Sequence, residues 1–592
     1  MATSARVAIV SGISLGLSAI VPACAQDYQR VAPKEAPAAP TPPIPVPALP
    51  EAPSAQQDRV ILETLKGLRL IDDSAKLVPS GVNITGITFE GLRFLDVPEI
   101  RDALQAFLGK PLTFGGLSEI SRVIIGYYRE HGRPFVDVAF PRQDVNSGVV
   151  QTVVTEFRIG QIKFEHNEWF STDVLRSETT LKPGDTIETT QLQSDLDRLN
   201  ENPFRTVSVV AEKSDTPGDT DLLFNVKDRL PLRVYFGYDN TGTPVLGHDR
   251  WNLGFNWGNA LWLDQELSYQ LTTSNDFWHS RAHIAGESSD PSFVAHALNY
   301  SIPVFARDRI LLFGTYEEAV PRLGPTIGIV GISGQASIRY EMRLPPLSFL
   351  THQIQLGYDF KTSNNNLEFG GIAVSNVTSE VDQFPLVYSA TARDPFGESS
   401  LENEFVFSPG GMTANNTNTM FIAQANDPFA RANYVYDHLM LSRVTHLPYD
   451  ASWVMRIVGQ TADHDLLPSE QLGAGGFDSV RGYDERAASG SVGLLLREEL
   501  RSPPFRLLSR LPFNAPSDQA QLLTFWDYGA VRQKQLVPGM PSSTEIQSVG
   551  LGMRYSMSRH FDMRLDYGWQ LHHLPGVPVL SQMGQIAVTV SY

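Results

Sequence analysis

The clearest pattern in this chain is a strict alternation of apolar and polar positions, which takes over from Leu232 and continues to the C-terminus. In one late segment the apolar positions are Val549, Leu551, Met553, Tyr555 and Met557, separated by Gly, Arg and Ser. Successive side chains of a β-strand point to opposite faces, so each such segment predicts a strand with one apolar face. That face runs over about nine residues, which is the length of a membrane-spanning strand.

Charged residues within these strands distinguish between two possible all-β folds, a soluble sandwich and a transmembrane barrel. A soluble sandwich also alternates, but it rarely places charges such as Arg564 and Asp566 between large apolar groups in strand after strand. Apolar-out and polar-in is the pattern of a transmembrane β-barrel, because lipid offers the backbone no hydrogen-bond partner and the sheet must close. Residues 231–592 therefore predict a barrel.

The number of strands follows from the spacing of the turns. About 16 or 17 candidate strands fit residues 231–592, and single-chain barrels have even numbers, which favours 16 antiparallel strands. Short turns such as Leu447-Pro448 alternate with long polar stretches at 362–380, 410–432 and 462–490. Short turns on one side and long loops on the other are typical of such barrels.

Residues 80–229 show a helical period and a twofold repeat instead. Each half predicts strand, helix, helix, strand, strand, and Lys110-Pro111 recurs as Lys182-Pro183 roughly 70 residues later. Two small α+β domains, 80–158 and 159–230, are therefore expected before the barrel.

The N-terminus predicts export from the cytoplasm. Residues 1–25 combine Arg6, an apolar stretch and the cleavage site Ala23-Cys24-Ala25, as in a secretory signal peptide. A lipoprotein with an acylated Cys24 is the alternative. Residues 26–79 predict a Pro-rich linker, with Pro42-Pro-Ile-Pro-Val-Pro47 at its centre and a short amphipathic helix over 56–70.

Composition excludes several other classes of protein. The formal net charge is −18 and no block of basic residues stands out, so nucleic acid is not an expected partner. Cys24 is the only cysteine and lies within the predicted signal peptide. Neither a His-Glu-x-x-His nor a Walker A sequence occurs, and we expect no catalytic residue, metal or cofactor.

Two short motifs are the candidate functional residues. Val480, Arg481, Gly482 and Tyr483 lie in a Gly-rich polar connection, and Phe525-Trp-Asp-Tyr-Gly529 lies on a later strand. Alternation places Trp526 and Tyr528 toward lipid and therefore Phe525, Asp527 and Gly529 toward the lumen. Arg481 either folds inward to pair with Asp527 or remains a solvated surface arginine.

The order of these features resembles the two-partner secretion transporters (TpsB) of the haemolysin secretion/activation family, within the superfamily of barrels that carry POTRA repeats. The resemblance rests on the signal, the Pro-rich linker, two repeats, the barrel, Val480–Tyr483, Phe525-x-Asp-x-Gly529 and the terminal Tyr592. It implies an outer-membrane protein, with its POTRA domains in the periplasm, that exports an unfolded exoprotein and is not an enzyme. The family often begins with a helix that plugs the lumen before the linker, whereas here the candidate helix follows it.

The resemblance also implies roles for individual residues and partners. Arg481 would pair with Asp527 inside the barrel as a loop latch, and Tyr592 would serve as the assembly signal for the barrel-assembly machinery. The repeats would capture the exoprotein's N-terminal secretion domain, through an exposed sheet edge and a helix carrying Leu192, Leu196 and Leu199. Those leucines alternatively form the repeat's own core. Two other functions stay open, a factor that inserts barrels into the membrane and a passive porin or surface adhesin.

Overall fold

The computed structural model describes the chain except for residues 1–25, 38–40, 48, 50–58, 279–289, 306–307, 322–326, 346, 348–349, 370–371, 509–516, 537–541, 573 and 575–580. The predicted signal peptide, Cys24 and the start of the helix predicted over 56–70 lie outside the described residues. The chain divides into two compact units, Ala38–Arg229 and Leu230–Tyr592, and the second also includes the N-terminal segment up to Pro37.

Six α-helices are described in the chain. They are α1 (Gln26–Val31), α2 (Pro98–Gln105), α3 (Phe114–Glu130), α4 (Thr172–Ser177), α5 (Thr189–Leu199) and α6 (Asn418–Ala425). None of these helices combines the length and the hydrophobicity needed to cross a membrane.

Nine strands lie in the described residues of the unit Ala38–Arg229. They are β1 (Val60–Leu62), β2 (Gly67–Ile71), β3 (Gly86–Glu90), β4 (Leu112–Thr113), β5 (Val136–Ala139), β6 (Val149–Glu156), β7 (Arg158–Glu165), β8 (Arg205–Lys213) and β9 (Asp219–Asp228). The first repeat is a four-stranded sheet in the order β3-β2-β6-β5, and α2 and α3 contribute Ile100, Leu104, Ile120 and Ile124 to its core.

The helix predicted over 56–70 is wrong for the residues that the structure describes. Residues 60–62 and 67–71 are strands, and β2 lies between β3 and β6 and runs parallel to both. Leu65 and Leu68 are three residues apart, which suits one face of a helix, but Leu68 and Leu70 share one face of a strand. Both are fully buried in the core of the first repeat, whose sheet therefore begins before residue 80.

The second repeat is a three-stranded sheet in the order β7-β9-β8, packed against α4 and α5. On α5, Leu192, Leu196 and Leu199 are fully buried. Their spacing of three and four residues forms one helix face, and that face supplies the core of the repeat rather than a docking surface. The burial of these three leucines therefore favours the alternative that they form the repeat's own core.

The unit Leu230–Tyr592 contains the remaining strands. They are β10 (Leu232–Asp239), β11 (Arg250–Ala260), β12 (Gln265–Ser274), β13 (Phe293–Val304), β14 (Asp308–Ala319), β15 (Ile327–Arg343), β16 (Leu350–Phe369), β17 (Ile372–Asp394), β18 (Gly397–Pro409), β19 (Asn433–His446), β20 (Ser452–Ala462), β21 (Leu472–Ala474), β22 (Ala488–Gly490), β23 (Val492–Arg501), β24 (Asp518–Arg532), β25 (Thr544–Met557), β26 (Phe561–Gln570) and β27 (Gln582–Ser591).

All of these strands except β21 and β22 form one closed barrel, so the predicted barrel of 16 antiparallel strands is confirmed. The barrel closes where β10 pairs antiparallel with β27. Along β10 the apolar Leu232, Val234 and Phe236 are exposed, while Arg233 and Tyr235 are buried. The alternation thus separates a lipid-facing surface from a polar lumen. Tyr592, just after β27, donates its backbone N–H to Val234 O at 3.0 Å, and its side chain is exposed.

The stretch 362–380, expected to be a loop, is mostly the paired ends of β16 and β17. These strands have 20 and 23 residues, against about 9–11 for one membrane crossing. Beyond the membrane both faces of a strand meet water, so polar composition does not distinguish strand from loop there. Of the other predicted loops, 410–432 contains α6, and 462–490 contains the β21–β22 hairpin. The connection between β20 and β23 is residues 463–491, termed the inward loop below.

Candidate functional site

The inward loop folds back into the barrel, and its tip is buried. Val480, Arg481 and Tyr483 are at most 1% exposed. Gly475 and Gly476 precede the tip with φ values of 103° and 113°, a conformation that L side chains rarely adopt. The loop also packs closely on β24, since a Cβ added to Gly529 would lie 2.9 Å from Val480 Cγ2. A glycine at 529 therefore makes room for the loop.

Arg481 lies in the lumen and contacts Asp527, as the two motifs predict. Its Nε donates to Asp527 Oδ2 at 2.7 Å and its Nη2 to Oδ1 at 2.8 Å. Its backbone N–H donates to the same carboxylate at 3.0 Å. The guanidinium also lies over the Phe525 ring, 3.7 Å from the ring centre. This bidentate geometry fixes both the position and the orientation of the arginine.

The structure places Arg481 in a larger network than a single pair. Its Nη1 donates to Glu499 Oε1 at 2.6 Å and lies 3.5 Å from Asp566 Oδ1. Arg554 bridges the same two carboxylates, at 2.8 Å from Asp566 and 3.2 Å from Glu499. These residues come from β23, β25 and β26, so the network ties the loop tip to four neighbouring strands, including β24.

Sequence reasoning missed Glu499 as a partner of Arg481, although a signal was present. Alternation already assigns Arg554 and Asp566 to polar faces of their strands, and Glu499 holds the equivalent place on β23. What alternation lacks is the register between strands. Because that register sets which lumen groups lie side by side, the composition of the network was not accessible from the sequence.

Gly482 and Tyr483 hold the tip by different contacts. Gly482 has φ 85° and lies backbone to backbone against Gly568 of β26. The Tyr483 hydroxyl lies 2.9 Å from Gln547 O and 2.7 Å from His572 O, at the ends of β25 and β26. Ion pairs, close packing and hydrogen bonds therefore all hold the tip of the inward loop against β23 to β26.

Gly568→Ala is expected to push the tip away from this wall, because the new Cβ would lie 2.8 Å from Gly482 Cα. Overpacking of this kind costs about 1–3 kcal/mol, which raises the undocked fraction by about fivefold or more. The measurement is the rate at which trypsin cleaves at Arg481 or Arg486 in the folded barrel. Gly459→Ala on β20 is the control, since nothing lies within 4 Å of its added Cβ. Equal rates for the two variants would contradict this account.

A second segment occupies the lumen, from α1 to Pro37. Tyr28 packs against Phe313 with ring centres 4.8 Å apart, and Val31 joins the same cluster on β13 and β14. Lys34 Nζ donates to Thr589 Oγ1 at 3.0 Å, and its backbone N–H donates to the Tyr235 hydroxyl at 2.9 Å. A six-residue helix therefore precedes the Pro-rich stretch Pro42–Pro47 and lies on the inner wall, unlike the helix that the sequence predicted over 56–70.

Family models together match residues 82–555. A model described as haemolysin secretion/activation protein ShlB/FhaC/HecB matches residues 218–555. A model for the POTRA domain, ShlB-type, matches 82–156, and one described as a surface antigen variable number repeat, also a POTRA model, matches 157–229. The first match covers most of the barrel, from the end of the second repeat to β25, and the other two cover the two repeats.

Curated relatives and solved structures agree with these matches. The heme/hemopexin transporter protein HuxB of Haemophilus influenzae (strain 86-028NP) is 22% identical over 470 residues, covering 77% of this chain and 78% of the relative. The outer membrane transporter CdiB-2 of Burkholderia pseudomallei (strain 1026b) is 22% identical over 547 residues, covering 91% and 85%. CdiB from Escherichia coli, at 16% identity, has a TM-score of 0.70 and covers 92% of this chain and 94% of that structure. The last comparison establishes a shared fold.

Proposed function

Since this chain belongs to the haemolysin secretion/activation protein family ShlB/FhaC/HecB, we propose that it exports one unfolded exoprotein of haemolysin or adhesin type across the outer membrane. The protein is an outer-membrane transporter of the two-partner secretion type, with its POTRA domains in the periplasm. The observation that carries the proposal is the buried network around Arg481, which holds a loop inside a closed barrel that two POTRA repeats precede.

The proposed conduit is the barrel lumen. Its wall carries paired charges and amides, which suit a hydrated polypeptide better than an apolar solute. The inward loop and the α1 segment both occupy this lumen, so an exported chain has to displace at least part of them. No nucleotide-binding motif was found in the sequence. We therefore assign the driving force to folding of the exoprotein outside the cell.

The proposed capture site is the free edge of the second repeat. Within the residues that the structure describes, strand β8 pairs with β9 alone, so its other edge can accept an added strand from the exoprotein's secretion domain. Val210 on this strand is 44% exposed, which offers an apolar contact beside the open backbone. With the α5 leucines buried, this edge is the part of the earlier docking hypothesis that remains.

The test of the proposed function uses the full chain. It would be expressed with a candidate large secreted protein from a neighbouring reading frame, and the exoprotein in the medium would be measured with and without the transporter. Binding of the isolated secretion domain to the purified transporter is expected near 1 µM, or about −8 kcal/mol. A protein that passes small solutes but neither binds nor exports the exoprotein would instead be a porin.

Protease added to intact cells is expected to cut within 410–420 and to spare 59–229. Gly411, Met412 and Ala414 are exposed in that extracellular stretch, whereas the tip of the inward loop is buried and resists cleavage. Immunoblotting with antibodies to each region provides the measurement. Permeabilised cells serve as the control, because the repeats become accessible there. Cleavage of 59–229 in intact cells would contradict the assigned orientation.

A further inference from the structure

One further ionic contact of the inward loop lies on a part of the wall that is remote in strand order from the Arg481 network. Glu470 is fully buried, and both of its carboxylate oxygens lie 2.8 Å from Nζ of Lys361 on β16. The Tyr436 hydroxyl of β19 donates to the same carboxylate at 3.3 Å. The Arg481 network belongs to β23–β26, so the loop is attached to two different stretches of the barrel wall.

Several further contacts hold the part of the inward loop around Glu470. Gln460 Nε2 donates to the backbone oxygen of Glu470 at 2.9 Å. Leu466 and Leu467 are buried in a cluster with Phe421 of α6, which belongs to the extracellular connection 410–432. The limb of the inward loop that carries Glu470 therefore packs with a second extracellular segment and against wall residues of β17 to β19.

We propose that the Lys361–Glu470 pair is the releasable anchor of the inward loop, and that export requires it to open while Arg481 stays docked. The inference rests on the proposed function. Arg481 contacts three carboxylates and an aromatic ring, whereas the Glu470 carboxylate has one lysine and two hydroxyl groups, those of Tyr436 and Ser469. Gly475 and Gly476 lie between the two anchors, where glycine permits the backbone rotation that such a motion needs.

The chemistry of the pair suits repeated opening. Lysine is a compact, strongly hydrated charge on a flexible stem, and water entering an opening lumen can solvate both separated partners. Arg481 at the other anchor makes bidentate hydrogen bonds of defined geometry, so its displacement costs more interaction free energy. When the Lys361–Glu470 pair opens, the limb of the loop that carries Glu470 moves away from β16 while the Arg481 tip stays bound. The lumen beside β16 is then open.

The first test measures ion conductance of the purified full chain in planar bilayers without any exoprotein. Glu470→Gln is expected to raise the mean conductance by about threefold or more, because the loop then populates the open arrangement. Glu341→Gln is the matched control, a buried lumen carboxylate on β15 that bonds to Gln353 and Gln355 of the wall. Conductance of Glu470→Gln equal to that of the control would overturn the proposal.

The second test ties the anchor shut. Lys361→Cys and Glu470→Cys would be combined in a Cys24→Ser background, and the two thiols joined by a short bismaleimide. Export is expected to fall by about tenfold or more in the cross-linked protein, because the open arrangement is removed from the ensemble. The same variant treated with N-ethylmaleimide lacks the ion pair but is not tied, and it should export.

Equal export by the tied and the untied protein would overturn the proposal. Failure of the unmodified transporter to export its partner would instead contradict the proposed function. Conductance, which needs no exoprotein, separates these two results.

Discussion

Arg481→Ala is expected to reduce export by about 100-fold or more while leaving the amount of folded barrel nearly unchanged. Removing one partner of a buried ion network costs about 3–5 kcal/mol, which corresponds to about 100-fold or more in the docked population of the loop. The barrel survives because its stability comes from 16 paired strands, whereas Arg481 positions one loop. Exoprotein in the medium measures export, and the heat-dependent shift in electrophoretic mobility measures the folded barrel.

Two further variants separate a network from a simple pair. Arg481→Lys keeps the charge but loses the bidentate geometry, so its export should lie between that of Arg481→Ala and that of the unmodified protein. The swap of Arg481→Asp with Asp527→Arg would restore an isolated pair. Here it should fail, because the introduced carboxylate would face Glu499 and Asp566. Full export by both Arg481→Ala and Asp527→Ala would show that export does not depend on the Arg481 network.

Deleting residues 158–229, the second repeat, is expected to abolish export and to leave a folded barrel. The repeat has its own sheet and core, so its loss removes no strand from the barrel. The heat-dependent mobility shift should persist, while binding of the secretion domain to the purified protein should disappear.

A milder variant keeps this prediction specific to capture. Val210→Asp adds a charge to the exposed edge strand β8 without touching the core, since Val210 is already 44% exposed. Weaker binding with an intact fold is the expected outcome. Leu196→Asp is the contrasting variant, because Leu196 is fully buried and a charge there should unfold the repeat itself. Unimpaired export after the deletion would place capture in the barrel instead.

The sequence predicted the barrel well because its information is local. Lipid outside and water inside impose alternation on every strand, and alternation also assigned Asp527 and Gly529 to the lumen. Pairing across strands is not local. Arg481 contacts Glu499 and Asp566 only because β23 to β26 meet in one particular register, which no single strand encodes.

Two of the predictions from the sequence were wrong, each for a physical reason. Around β2, Leu65 and Leu68 have a helical spacing, but the chain forms a strand because β3 and β6 offer hydrogen bonds on both sides of β2. At 362–380 the strands continue past the membrane, where the apolar face that reveals a strand is no longer required. For β2 the deciding partner β6 lies far away in the sequence, whereas at 362–380 each strand pairs with its neighbour in the same hairpin.

The central place of β2 gives the first repeat an unusual mechanical character. The Pro-rich segment leads through β1 into this strand, which is bonded in parallel to Gly86–Glu90 on one side and to Val149–Val153 on the other. A pull along the linker would load both rows of hydrogen bonds together in shear, rather than peel a strand from an edge one bond at a time. Force applied to the first repeat through the linker would therefore be resisted by both rows of hydrogen bonds at once.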